Sequence, residues 1–363
     1  MMALRPERYL LLIGVLAVSA GCQRTSQTVP QFAALVEELS EKGGYFDTDN
    51  LISNETSYAE VVDRLEPAGG VYLGVGPEQN FHYIGRLRPS WAFIIDIRRD
   101  NLLHHLLLNY LLVSSETPYD YLCTLFSRRC EEGATFEGFE EMVAAFESAP
   151  RDEGRFADNR GAAFSHVEAV LQFSLDENDR KTIDSIYSSF FEEQLHLRFR
   201  SFGRPPMAYH PTYRQLLLSR ARSGRHGHFL ARPQDYEYVR SLAKDGRLIP
   251  VVGDFAGDKA LKAIGKVVAE QGEVLSAFYL SNVEFYLLRS GSFPAFVDNL
   301  RALPHGDRSL LIRAYFSYGY QHPAALPGHR STLIRQKLDR FLQLYDEGAY
   351  HTFWDVSTLD YEP

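Results

Sequence analysis

Gly70-Val71-Tyr72-Leu73-Gly74-Val75-Gly76-Pro77-Glu78-Gln79-Asn80, followed by Trp91-Ala92-Phe93-Ile94-Ile95-Asp96-Ile97-Arg98-Arg99, decides the fold of this chain. Each half is a short apolar run that stops abruptly. The first stops in a glycine turn, where Gly74 and Gly76 have no Cβ to keep a ligand away from the backbone N–H groups. The second stops at Asp96, a carboxylate suited to paired hydroxyls, with Arg98 and Arg99 close behind. Asp96 lies 22 positions after Gly74, near the spacing of about 20 residues seen when a strand, a glycine turn, a helix and a second strand build half of a ligand-binding sheet.

Working outward, Tyr58 to Leu65 reads as a helix leading into the strand Val71–Leu73, and Glu78–Leu87 as the helix before the strand Ala92–Ile97. Phe93-Ile94-Ile95 is apolar on both faces, as in a strand buried within a parallel sheet. Upstream, Phe32, Leu35, Val36 and Leu39 fall at helical spacing and Lys42-Gly43-Gly44 breaks the pattern. Downstream, Asn101–Val113, Phe136–Phe146 and Asp179–Phe199 have helical periodicity. Strands follow at Leu248–Phe255, Val274–Ser281 and Ser309–Phe316, with helices predicted at 258–270, 293–303 and 331–346, and an extended stretch at 351–356. Strands separated by helices predict an α/β fold with a doubly wound, mostly parallel sheet. The 158 positions between Asp96 and Asp254 exceed one helical crossover, so a large helical insertion is expected between the second and third strands. The predicted organisation is therefore residues 32–100 and 247–363 as two halves of one sheet domain, with 101–246 inserted.

The N-terminus has the form of an export signal over residues 1–21: Arg5 and Arg8, an apolar run from Tyr9 to Ala17, then Ser19-Ala20-Gly21-Cys22. That run is too short for a permanent span, which takes about 20 residues. The segment ending in Cys22 resembles a bacterial lipobox, which implies a lipidated cysteine, a tether over 22–31 and a lipid-membrane anchor. Gln23 after the cysteine resembles an outer-membrane address; plain secretory cleavage is the alternative. Export leaves Cys123 and Cys130 in a compartment that permits disulfides. Seven positions apart, they bond if the helix ends between them and stay buried thiols if it does not.

The chain has 363 residues and a net charge of −9, with hydrophobic and charged contents of 45% and 23%. That balance suits a globular protein and argues against nucleic acid as a partner, which calls for a basic face. Arg214, Arg220, Arg222, Arg225 and Arg232 form a local basic excess that could hold a phosphorylated or acidic partner, or be a solvated helix face. No metal site is expected from His226-Gly227-His228, which lacks a neighbouring carboxylate or cysteine.

The order of the strand ends resembles a class I S-adenosylmethionine-dependent methyltransferase: Gly74-Val75-Gly76, then Asp96, then Gly253-Asp254-Phe255, then Ser281-Asn282-Val283-Glu284. The phrases GVGPEQNF, FIIDIRR and YLSNVE further resemble a bacterial family of methyltransferase-like proteins. The resemblance implies a Rossmann-like sheet of methyltransferase type and S-adenosylmethionine as cofactor. It also implies Gly74, Gly76 and Asp96 around the donor, Asp254 and Phe255 at its adenine, and Ser281, Asn282 and Glu284 facing the acceptor. Glu78, where the family pattern has a third glycine, Asn80 on the helix after the turn, and Arg98 beside Asp96 are further candidates at the donor. Glu284 could serve as a general base if burial raised its pKa, or simply begin the next helix; Asn282 could instead order its turn. The alternative function is a non-catalytic envelope lipoprotein that uses the same fold to bind another small molecule or a protein partner.

Overall fold

The computed structural model describes residues 32–204, 207–317 and 319–363. The export signal, Cys22 and the tether therefore lie outside the described residues. Fifteen α-helices and six strands are ordered along these residues. The first stretch holds α1 (Phe32–Leu39), α2 (Tyr58–Arg64), β1 (Val71–Gly74), α3 (Asn80–Leu87) and β2 (Trp91–Asp96). Seven helices follow: α4 (Arg99–Ser114), α5 (Pro118–Leu125), α6 (Phe139–Ser148), α7 (Glu153–Ser165), α8 (Glu177–Glu193), α9 (Tyr213–Leu217) and α10 (Pro233–Lys244). The rest is β3 (Leu248–Val252), α11 (Ala260–Glu270), β4 (Leu275–Ser281), α12 (Val283–Ser290), α13 (Phe293–Ala302), β5 (Leu310–Phe316), β6 (Ser331–Lys337), α14 (Leu338–Asp346) and α15 (Phe353–Thr358).

The strands form one sheet in the order β3-β2-β1-β4-β5-β6. The first five are parallel and β6 runs antiparallel along β5. This is an α/β, mostly parallel, Rossmann-like architecture, as the sequence predicts. Because side chains alternate along a strand, neighbouring residues enter opposite cores. Tyr72, Ala92, Ile94, Ala277 and Tyr279 join one, while Leu73, Phe93, Ile95, Phe278 and Leu280 join the other. The first core is closed by α2, α3 and most of the helices between β2 and β3; the second by α1, α11, α13 and α14. Helix α4 belongs to both, giving Leu103 and Leu106 to the second core and Leu108 and Leu111 to the first. Its apolar residues wrap all the way round, which only a helix buried on every side tolerates.

Three expectations need correction. Residues 331–337 are not the start of a helix but strand β6, whose pairing with β5 from Leu310↔Lys337 to Phe316↔Ser331 satisfies an edge that would otherwise be bare. The helix starts only at Leu338. The stretch 351–356 is not extended: Thr352 accepts from the Asp355 N–H and Asp355 returns the bond, a capping box that starts α15. Residues 194–199 do not continue α8, because Gln194 turns into the positive-φ region at 54° and the chain leaves in a short 3₁₀ turn.

The choice left open at Cys123 and Cys130 falls to the disulfide. Helix α5 ends at Leu125, Ser127 takes φ 48°, and the two Cα atoms stand 6.1 Å apart across the S–S bond.

Candidate functional site

In a sheet wound this way, ligands bind beyond the carboxyl ends of the strands, at the point where the strand order reverses, here between β1 and β4. The ends of β3, β2, β1 and β4 are neighbours along this rim. That puts Gly253-Asp254, Asp96, Gly74 and Ser281-Asn282 side by side, although they are far apart in the chain.

The rim is not bare. Residues 41–55, between α1 and α2, run along it as a strap that visits each strand end in turn. Glu41 N–H donates to Val252 O (2.9 Å) at β3, and the Glu41 carboxylate accepts from the Asp254 (2.6 Å) and Lys259 (3.1 Å) N–H groups. At β2, Gly44 N–H donates to Ile97 O (2.7 Å). Asp96 accepts from the Arg98 N–H (2.9 Å) and Nε (3.2 Å) through Oδ1 and from Arg98 Nη2 (3.1 Å) through Oδ2. The guanidinium then turns its Nη1 to the carbonyls of Thr48 (2.8 Å) and Asp49 (3.1 Å). Asn50 lies beside Gly76 at β1. At β4, Glu55 Oε1 accepts from Ser281 Oγ (2.5 Å). Arg99 is bonded bidentately to Asp179 on α8 (2.7 and 2.6 Å).

The glycine turn is filled from within. Asn80 Nδ2 lies at 3.0 Å from Val75 O, 3.3 Å from Gly76 O and 2.7 Å from Pro77 O, while its Oδ1 accepts from Tyr72 Oη (2.8 Å). A Cβ on Gly74 would stand 1.9 Å from that Oδ1, so the missing side chain makes room for Asn80. Gly76, at φ 82°, needs glycine for its backbone as well. His105 Nε2 lies 2.8 Å from Gly76 O, and burial pushes this imidazole down to about 4, so it is neutral and donates.

Asp254 folds back onto its own turn, accepting from the Ala256 N–H (2.9 Å), and Phe255 is buried against Phe278 and Phe296. Asn282 precedes the first residue of α12 without a side-chain cap bond. Glu284 is fully buried in that helix and faces Arg313 at 3.5 Å. Burial outweighs the guanidinium and raises the Glu284 carboxyl to about 7. Arg313 is spent inward, on Val356 O (2.5 Å) and Gln336 Oε1 (2.7 Å). The sequence-predicted residues thus share one rim, but Phe255 and Glu284 point into protein.

At the β1/β4 reversal sits a buried polar cluster, of which sequence reasoning had singled out Glu78, Ser281 and, as a residue that could face the cleft, Tyr83. Gln79 Nε2 donates to Glu55 Oε2 (2.6 Å) and lies 2.9 Å from Tyr279 Oη and 3.0 Å from Tyr83 Oη. Burial raises the Glu55 carboxyl, against hydrogen bonds from Ser281, Tyr279 and Gln79 that favour its charge. Ser281 holds φ 51° at the bulged end of β4, a left-handed backbone conformation that is strained for a residue other than glycine. Beside it, Glu78 accepts from Tyr121 Oη and Tyr213 Oη (2.6 Å each), with His228 Nε2 at 3.5 Å. The His228 ring lies 4.3 Å from that of His82, tilted at 53°, and burial together with His228 itself holds His82 well below the usual imidazole range. Ser53, Glu78, Gln79, His82, Tyr213 and His228 line a hollow of about 20 Å³, room for a single water. Such groups can accept and relay hydrogen bonds. The only signal of them in the sequence was the unusual Glu78-Gln79 after the turn, since Glu55, Tyr121, Tyr213 and His228 arrive from distant segments. Among the described residues, no three His, Cys, Asp or Glu side chains are grouped to hold a metal ion.

Residues 50–354 match the sequence profile of a family described as a domain of unknown function, DUF7790. The chain belongs to that family. The DUF7790 match takes in all six strands, the polar cluster and the strap from Asn50 onward. No curated protein matches the chain.

Proposed function

We propose that this chain is a non-catalytic binding protein built on a methyltransferase-like Rossmann sheet. It is exported, anchored to the outer membrane through Cys22, and serves a small-molecule or protein partner in the envelope. The observation that carries this reading is the occupation of Asp96. Both of its oxygens are taken by Arg98, which also clamps the strap carbonyls of Thr48 and Asp49. S-adenosylmethionine does not fit the residues as they stand: its ribose acid is spent, Asn80 fills the glycine turn, and Phe255 is packed into the core. Export supports the same reading, because that cofactor is a cytosolic metabolite. The strand order and the antiparallel strand at the β5 edge support the methyltransferase type of sheet.

Titration of the purified chain with S-adenosylmethionine and S-adenosylhomocysteine by calorimetry tests this, and no heat is expected at millimolar ligand. Saturable one-to-one binding would overturn it in favour of the second reading, methyl transfer. That reading draws on the meeting of Gly74, Asp96, Asp254 and Asn282 at one rim and requires the strap to leave. Labelling with a palmitate analogue tests the anchor: wild type takes label and Cys22→Ala does not.

A further inference from the structure

The arginines after α9 are not a solvated helix face. Arg220, Arg225 and Arg232, joined by Arg86 from the last turn of α3, line an open hollow of about 420 Å³ together with His226 and Gln234. Its walls are built from ordered backbone. The loop reverses at Gly224 (φ 85°), is tied by the Ala221 N–H to Arg225 O (2.9 Å) and by a bridge between Arg220 and His226, and presses Gly227 against Ala59 of α2. Arg232 is the N-cap residue of α10 and makes no side-chain cap bond, so the positive end of that helix opens beside the guanidinium groups.

The charges around the hollow are only partly answered. Arg220 pairs with Glu140 (2.8 Å) and Arg225 with Asp63 (2.6 Å), neither carboxylate being part of the lining. Arg232 reaches Asp63 and Asp235 only at 3.9 and 3.8 Å. Arg86 forms no ion pair within 4 Å among the described residues, though its charge favours the ionised form of the nearby Asp235; its Nη2 donates to Leu65 O (3.0 Å) and its Nε makes no hydrogen bond. Neither ring nitrogen of His226 makes one of normal geometry. Four guanidinium groups thus meet across a concave surface lined by no carboxylate, in a chain of net charge −9. Burial lowers the pKa of the Arg232 guanidinium and the neighbouring Arg86 and Arg225 add to that, while Asp235 and Asp63 act against it.

We propose that this hollow binds the phosphate group of a small, water-soluble phosphate ester. A tetrahedral oxyanion accepts bidentate bonds from guanidinium forks, and the volume leaves room for an attached polyol or sugar. The proposal stands apart from the reading of the rim, since none of these residues touches Asp96 or the strap.

Calorimetry on the full, detergent-solubilised chain tests it, with inorganic phosphate and glycerol 3-phosphate as probes, alongside co-sedimentation with phosphatidylcholine vesicles with and without phosphatidic acid. Saturable binding of glycerol 3-phosphate is expected. Arg232→Gln should weaken it by roughly tenfold or more, and so should Arg225→Gln, which changes an exposed side chain and spares the fold. Arg214→Gln, paired with Glu147 outside the hollow, should leave it unchanged. Three results would overturn the proposal: no saturable binding of either soluble probe, equal weakening by Arg214→Gln, or binding confined to phosphatidic acid vesicles.

Discussion

Asn80 does from inside the protein what a ligand was expected to do from outside: it satisfies the carbonyls of the turn after β1. Gly74 is therefore a packing residue here. Gly74→Ala should cost roughly 1–3 kcal/mol by overpacking against Asn80 and Tyr72, read as a lower urea midpoint. Unchanged stability would mean the turn is open. Glu284 makes a second prediction at this scale. Its folded pKa, about 7, lies above the ordinary 4.5, so the native state holds the proton longer than the unfolded chain. Its stabilising contribution is full below about pH 4.5 and is lost as pH rises through about 7. Glu284→Gln keeps the shape without the titration. Relative to wild type it should therefore gain stability between pH 5 and pH 8, as measured by denaturant melts across that range.

Among the elements, the strap and the disulfide loop each depend on a few named contacts. Arg98 is the clamp between strap and sheet, and Arg98→Ala leaves Asp96 buried without its partner. Faster hydrogen exchange at residues 44–50 is expected, with a loss of about 3–5 kcal/mol. If exchange there stays unchanged, the strap is held by its other anchors alone. The Cys123–Cys130 bond closes a short loop, worth roughly 2–3 kcal/mol by loop-closure entropy. The double change to alanine should lower stability by that amount and leave the far end of the sheet protected.

For the whole molecule, the decisive fact is that the helices between β2 and β3 are not an appendage. α4 contributes leucines to both cores, α10 packs on α3, α4 and β3, and Arg99 holds Asp179 of α8. The described residues form one compact unit. A single cooperative unfolding transition is expected, with fluorescence and circular dichroism changing together. Two separated transitions would show that the inserted helices fold independently.

The sheet was legible in the chain itself, because a strand buried on both faces must be apolar throughout and glycine must stand where the backbone turns sharply. Val71–Leu73, Phe93–Ile95 and the Gly-Val-Gly turn obey those local rules. The edge strand β6 was misread, since a short mixed segment such as Ser331–Lys337 takes its form from its neighbour β5. The candidate site was legible only as positions on a rim. Whether Asp96 faces a ligand or Arg98, and whether Gly74 makes room for a cofactor or for Asn80, depends on side-chain placement that spacing in the chain does not encode. Tertiary packing alone laid residues 41–55 over the strand ends, and it alone drew Glu55, Glu78, Tyr213 and His228 together and closed four scattered arginines around one hollow.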